Sequence, residues 1–330
     1  MTASFVQICD TLARWLTGPP DDPGWSPDTW ERVKVVCRVH GLAAKMWVRL
    51  SDQQWVEPDM ADWLQTQYRL NGKRIARITA DTGRILSIFE RGDLPVIPLK
   101  GVILNEFYYN DPATRPMSDI DLLVPAARFN EAGRLLSQLG YEPEVEHWKH
   151  TVYVQPANRR VVSKKTEHPQ NPRRVELHPA CRESFGGPAV DLTTMIWQQA
   201  RPGRVASHAA YFPRPEMLWL HLLVHSSYHI WQGRARLMHL LDLWLVWEAE
   251  APGKAEALVE VVGQLDARYT YPALALLGRH FEDARLAMLI KQQQMRLSPC
   301  FRHWVDGLDL ANSSYLNAAP PGTYLGKALR

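Results

Sequence analysis

Residues 94–124 read LPVIPLKGVILNEFYYNDPATRPMSDIDLLV, and this stretch decides the fold. Leu94 to Leu99 is a short apolar run, which predicts a buried strand. Lys100-Gly101 ends it, and VILNEFYY then has a helical pattern. Asn110 to Pro116 is a Pro-containing loop. Asp119 to Val124 predicts a second strand, stopped by Pro125. Successive side chains of a strand alternate between its faces. Asp119 and Asp121 therefore share one face, and Ile120, Leu122 and Val124 share the other, which suits a core. Two adjacent carboxylates repel each other and need a counter-charge, for which a divalent cation with a preference for oxygen is well suited.

Working outward, residues 126–139 predict an amphipathic helix closed by Gly140. Thr151–Gln155 and Arg160–Ser163 are expected to pair as a hairpin, and Arg174–His178 is a further short strand. Strands alternating with helices make the middle of the chain an α/β unit. On the strand at 174–178, Glu176 and His178 share a face, so Glu176 is a candidate third carboxylate for a metal site or a general base. Before it runs a basic segment with Arg159, Arg160, Lys164, Lys165, Arg173 and Arg174, which reads either as a solvated hairpin or as a phosphate contact. Lys100-Gly101 at a strand-to-helix turn suits an approaching phosphate, with Lys100 adding a point charge. Arg115, four residues before Asp119, is a second phosphate candidate.

The flanks read as helical. Phe5, Cys9, Leu12, Trp15 and Leu16 follow a helical period, and Ser26 or Asp28 is placed to cap a second helix. Residues 58–91 form a long segment without internal Pro after its start. From about 190 onward helices are expected again, and the tail from Ser313 reads as loosely held. The expected organisation is a helical segment over 1–92, an α/β core over 93–200 and a helical domain over 201–330. His221, His225 and His229 recur one turn apart on one predicted helix, and His239 and Asp242 lie on the next. This face reads as structural or substrate-lining, with a transition-metal site as the alternative.

Composition narrows the classes. The 330 residues are 46% apolar and 22% charged, which excludes wholesale disorder and a coiled coil. Thirty-eight Lys+Arg against 35 Asp+Glu leave +3, too mild to argue a nucleic-acid or membrane-surface protein. No run approaches the roughly 20 apolar residues of a membrane span, and the start has no secretory pattern. Cys9, Cys37, Cys181 and Cys300 form no C-x-x-C, so a disulfide framework or zinc ribbon is not expected, and a cytoplasmic location is. An H-E-x-x-H metallopeptidase motif and an adjacent His-Asp pair are both absent. The thirteen Trp read as core and helix-packing residues.

The order of a glycine, a helix, a D-x-D strand and a third acidic strand residue resembles the nucleotidyltransferase superfamily typified by DNA polymerase beta. The fuller string, LKG-x-x-L, a Tyr pair, R-P-M-S-D-I-D-L-L-V and V-E-L-H, looks like the bacterial family of uncharacterised nucleotidyltransferases, over roughly residues 30–250. Members often accompany exopolysaccharide or lasso-peptide gene clusters. The resemblance implies an α+β fold with a small mixed sheet and flanking helices. It implies a magnesium- and nucleotide-binding transferase that moves a nucleoside monophosphate, or another phosphoryl group, from ATP or another NTP to an acceptor hydroxyl or phosphate. On it, Asp119, Asp121 and Glu176 are the catalytic and metal-binding carboxylates, for Mg²⁺ or alternatively Mn²⁺. Lys100, Gly101, Arg115, Ser118 and His178 are assigned to the nucleotide, and Lys165, His225, His229 and Asp242 to an acceptor pocket. The expected acceptor is a small molecule or peptide of a biosynthetic pathway; nucleic acid is not favoured, and no membrane is involved. Two departures stand out. Val102 follows Gly101 where the superfamily usually has Gly-Ser or Gly-Gly, and the gap from Gly101 to Asp119 is long. The competing readings are a non-catalytic binding or scaffold protein on the same fold, and a toxin-like enzyme that modifies RNA or protein.

Overall fold

The computed structural model describes residues 3–164 and 166–317. They fall into two compact units, one within residues 67–184 and 189–218, the other within residues 3–66, 185–188 and 219–317.

The first unit holds the sheet. Five strands run β1 (Ile97–Pro98), β2 (Asp119–Leu123), β3 (Glu142–Glu146), β4 (Thr151–Val154) and β5 (Arg174–His178). Their spatial order is β1-β2-β5-β4-β3. β2 and β5 are parallel, in register Asp119↔Arg174, Asp121↔Glu176 and Leu123↔His178. All other neighbours are antiparallel. The alternation read from residues 119–124 holds. Ile120, Leu122, Val175 and Leu177 are fully buried on one face, and the acidic residues take the other. Helix α4 (Pro58–Arg91) spans the segment read as one long helix; α5 (Gly101–Phe107) follows β1, and α6 (Phe129–Gln138) follows β2. This mixed α+β architecture is the fold class expected.

Three local expectations are corrected. Arg160–Ser163 forms no strand. Thr151–Val154 pairs instead with Glu142–Glu146 and with β5, because a turn at residues 147–150, in which His147 N–H donates to His150 O at 2.8 Å, folds β4 back on β3. Helix does not fill the chain from about 190. After β6 (Arg182–Ser184), β7 (Ala189–Asp191) and the short α7 (Thr193–Gln198), β8 (Arg201–Val205) and β9 (His208–Phe212) make a hairpin. Its turn carries two residues at positive φ, Ala206 and Ser207, the requirement of a two-residue hairpin loop. Ser313 and Ser314 are buried, and Ser313 O accepts a hydrogen bond from Ala235 N–H at 2.8 Å, so the start of the tail is held. The tail beyond residue 317 lies outside the described residues.

The second unit is helical: α1 (Phe5–Thr17), α2 (Pro27–His40), α3 (Ala43–Leu50), most of α8 (Pro215–Trp231), α9 (Leu237–Gly263), α10 (Tyr271–His280), α11 (Ala284–Met295) and α12 (Pro299–Asp306). Ser26 caps α2 through its side chain, with Pro27 in the first helical position. Pro252 lies inside α9, and Lys254 leaves helical geometry at φ −142°, which kinks the helix. Trp15, Trp219 and Trp247 are fully buried, in keeping with tryptophan as core. The cysteines are free thiols; Cys9, Cys37 and Cys181 are buried and Cys300 is exposed. Among the described residues no helix is long and apolar enough to cross a membrane.

Candidate functional site

The parallel pairing of β2 and β5 places Asp121 directly beside Glu176, with Asp119 two residues back on the same face. The counter-charge that this face requires comes first from the chain itself. Leu99 N–H donates to Asp121 O at 3.0 Å, which fixes the end of β1 against β2. The next residue, Lys100, takes φ +46° and ψ −111°, a backbone region that side-chain-bearing residues avoid. There its ammonium meets Asp121 Oδ1 at 2.9 Å. Lys100, a candidate for a nucleotide phosphate, here pairs with a carboxylate.

His178 Nε2 lies 3.0 Å from the same Asp121 oxygen and 3.7 Å from Glu176 Oε2. His150, just before β4, brings Nδ1 to 3.3 Å from Glu176 Oε2, and its ring meets that of His178 edge to face at 4.8 Å. Ser118 Oγ donates to Asp119 Oδ2 at 3.0 Å. Arg115 is buried, with its guanidinium 5.9 Å from the Tyr109 ring. Gly101 opens α5 as read. A Cβ there would lie 2.8 Å from Arg115 Nη1 and 3.1 Å from Met117 Cε, so the missing side chain lets the 115–117 loop close in.

The charges are in tension. Burial alone would raise Asp121, but Lys100 and the His178 hydrogen bond outweigh it and pull this carboxyl far below its ordinary range. Burial and the Asp121 charge push Asp119 up. Burial, then Asp121 and Asp119, push Glu176 to about 8. Burial opposes the charge of Lys100, yet the three carboxylates hold its ammonium above the ordinary lysine value. Burial drives His150 down to about 3 and lowers His178. Asp119 and Glu176 are thus held back from ionising by their crowding, which a bound cation would relieve, and the hard oxygen donors of Asp119, Asp121 and Glu176 suit a divalent cation such as Mg²⁺.

Sequence reading missed four side chains. Lys149 and Glu183 pair at 2.9 Å, both largely buried. His150 was one of several histidines without a motif. Arg74, in the middle of α4, is 2% exposed and donates to five carbonyls. These are Met117 at 2.8 Å, Ser118 at 3.0 Å, His168 at 3.4 Å, Asn171 at 3.0 Å and Pro172 at 2.9 Å. Arg74 thus ties the segment entering β2 to the segment entering β5. Its only sequence signal is an arginine on the apolar stripe of a helix.

Three of the six residues of the basic segment pair with carboxylates. Arg159 pairs with Glu142 at 2.9 Å, Arg173 with Asp81 at 2.6 Å and Arg174 with Glu144 at 2.6 Å. Lys165 lies outside the described residues. The remaining acceptor candidates, His225, His229 and Asp242, belong to the helical unit. There the rings of His225, His229 and His239 meet at 4.4, 4.9 and 5.7 Å. Among the described residues, three or more metal-ligating atoms converge only at His150, Glu176 and His178.

A protein-family comparison matches residues 26–281 to the family described as uncharacterised nucleotidyltransferase. The chain belongs to this family. A comparison with curated proteins finds no match. Similar solved structures include the antibiotic-resistance factor ANT(2'')-Ia in solution, at 16% identity and TM-score 0.42, covering 59% of this chain and 94% of that one. A crystal structure of ANT(2")-Ia with adenylyl-2"-tobramycin matches at 14% identity and TM-score 0.40, covering 57% and 98%. An antigenic nucleotidyltransferase-like protein from Paracoccidioides brasiliensis matches at 13% identity and TM-score 0.34, covering 57% and 88%.

Proposed function

We propose that this member of the uncharacterised nucleotidyltransferase family transfers a nucleoside monophosphate from an NTP to a hydroxyl or phosphate of a small-molecule acceptor. The observation that carries the reading is the Asp121↔Glu176 register on adjacent parallel strands, with Asp119 on the same face. Asp119, Asp121 and Glu176 would hold Mg²⁺. When bound, the ion polarises phosphate oxygens and lowers the pKa of an attacking hydroxyl. In the reaction an acceptor oxygen attacks the α-phosphorus, the bond to the bridging oxygen breaks, pyrophosphate leaves and the acceptor proton passes to solvent. The chain's own residues position and balance charge. Lys100 offsets part of the negative charge on Asp121, His178 orients that carboxylate, and Ser118 orients Asp119. Such reactions are accelerated mainly by positioning and electrostatic stabilisation.

One observation favours a second reading. The Lys100 ammonium already sits on Asp121 where a cation would bind, as in a binding protein that keeps the fold without the chemistry. Calorimetry with ATP, GTP, CTP and UTP, with and without Mg²⁺, separates the two. A transferase binds at least one NTP in a Mg²⁺-dependent way, and Asp119→Ala/Asp121→Ala loses that binding. Binding of no NTP, or binding that is indifferent to the double substitution, refutes the transferase reading.

A further inference from the structure

His150, Glu176 and His178 converge beside the Asp119–Asp121 pair, yet two of the three are imidazoles, which are poor ligands for Mg²⁺ and good ones for zinc, cobalt and iron. We infer that His150 Nδ1, Glu176 Oε2 and His178 Nε2 form a three-ligand site for a first-row transition ion of the zinc type, sharing only Glu176 with the carboxylate set.

The convergence follows from the sheet. Thr151 of β4 is opposite Leu177 of β5, so His150 lies one residue beyond the ladder, next to His178. Val152 is opposite Glu176, which puts all three side chains on the polar face of the sheet. The spacing suits a single ion. Zn²⁺ sits about 2.1 Å from nitrogen and oxygen ligands, and a tetrahedron of that radius has edges of about 3.4 Å. Two edges come close to this, 3.3 Å from His150 Nδ1 to Glu176 Oε2 and 3.7 Å from Glu176 Oε2 to His178 Nε2, and ligand atoms of the three residues lie within 4.8 Å of one another, so the two imidazoles close in when the ion binds. A three-residue protein set leaves a fourth position open, as in reactive rather than purely structural zinc sites.

A second observation points to a ligand. His150 is 8% exposed, and its Nδ1 is buried with no hydrogen-bond partner. The glutamate oxygen 3.3 Å away does not satisfy it, because hydrogen-bond geometry is absent there. An unsatisfied nitrogen in such a place is costly unless something binds it. Ion binding at His178 Nε2 displaces the contact with Asp121, which keeps Lys100 as its counter-charge.

The test uses the full chain stripped of metal, without nucleotide. Zn²⁺ affinity is read by competition with a chromophoric chelator, and site geometry by the visible bands of Co²⁺. The site predicts one ion per chain, the intense Co²⁺ bands of a four-coordinate centre and no displacement by millimolar Mg²⁺. His150→Ala should weaken Zn²⁺ binding by about tenfold or more. His150→Cys, which supplies a thiolate, should recover it. One control should bind as the wild type does: His147→Ala, whose ring meets that of His150 at 4.9 Å. Failure of the wild type to bind Zn²⁺, undiminished binding by a folded His150→Ala chain, or equal loss in His147→Ala would overturn the inference. The two readings share Glu176 but fail separately: Zn²⁺ binding is judged on His150→Ala, and Mg²⁺–NTP binding on Asp119→Ala/Asp121→Ala.

Discussion

Arg74 is the residue whose removal best tests how the carboxylate strands are held. Five of its N–H···O=C contacts are within reach, and the one to His168, at 3.4 Å, is long. The other four end on Met117 and Ser118, just before Asp119, and on Asn171 and Pro172, just before Arg174. Burial opposes the charge of this guanidinium, and Glu167 at 3.5 Å gives only partial compensation, so the carbonyls are its main partners. A net hydrogen bond contributes about 1 kcal/mol, and an orphaned buried carbonyl costs at least as much. Arg74→Ala should therefore destabilise the fold by about 4 kcal/mol, in the upper tail of single substitutions. Arg74→Lys keeps the charge but places its donors on one nitrogen, which cannot reach both segments, and should cost about half as much. A misplacement of about 1 Å at a reacting centre can cost on the order of 100-fold in rate. Mg²⁺–NTP binding should accordingly weaken in Arg74→Lys under conditions where the chain remains folded. Urea denaturation, read for midpoint and slope, and calorimetry on the same samples measure both effects. A loss in Arg74→Ala under about 1 kcal/mol would refute the tie, and nucleotide binding intact in a destabilised Arg74→Lys would refute the positioning role.

Lys100→Met leaves the buried Asp121 carboxylate without its ammonium and should cost about 3 kcal/mol in urea denaturation, as expected for a broken buried pair. Lys100→Gly relieves the +46° φ but not the lost charge, so stability restored to wild type by glycine would show that backbone strain, not the ion pair, dominates there. Stability should also fall in acid because of His40, which is fully buried, accepts Leu237 N–H on Nδ1 at 3.0 Å and is driven by burial from 6.5 down to about 3. The unfolded chain takes up that proton first, so the contribution is complete above pH 6.5 and is lost as pH falls towards 3, amounting to about 2 kcal/mol at pH 5. His40→Asn should flatten the stability–pH slope between pH 6.5 and 5 by nearly one proton, and an unchanged slope would exclude His40 as the source.

What could be read locally was read from periodicity. Alternation over Asp119–Val124 and Arg174–His178 places acidic side chains on one face and Ile120, Leu122, Val175 and Leu177 in the core. Ser26, one of the two caps read for α2, is the one used, and an uninterrupted stretch defines α4. These are properties of neighbours within a few residues, which backbone geometry converts directly into a face. The hairpin at 201–212 escaped because its strand carries Pro202 and Gly203, both poor strand signals, and its pairing is held by packing against Val96, whose carbonyl accepts Tyr211 N–H at 2.8 Å.

The electrostatics of the candidate site depended on the fold as a whole. Nothing within reach of Lys100 along the chain says that its ammonium would meet Asp121 rather than a phosphate; that follows from β1 pairing with β2. Arg159, Arg173 and Arg174 look like a cationic run until β3 and α4 bring Glu142, Glu144 and Asp81 against them. His150 and Arg74 carry no motif at all. Sequence alone determined which residues bear acid and which strand faces bury them, because side-chain alternation is set by the backbone of one strand. Only the tertiary structure decided which cation, imidazole or guanidinium stands beside each carboxylate, because Coulomb and hydrogen-bond energies depend on separations of a few ångströms that strand register and helix docking create.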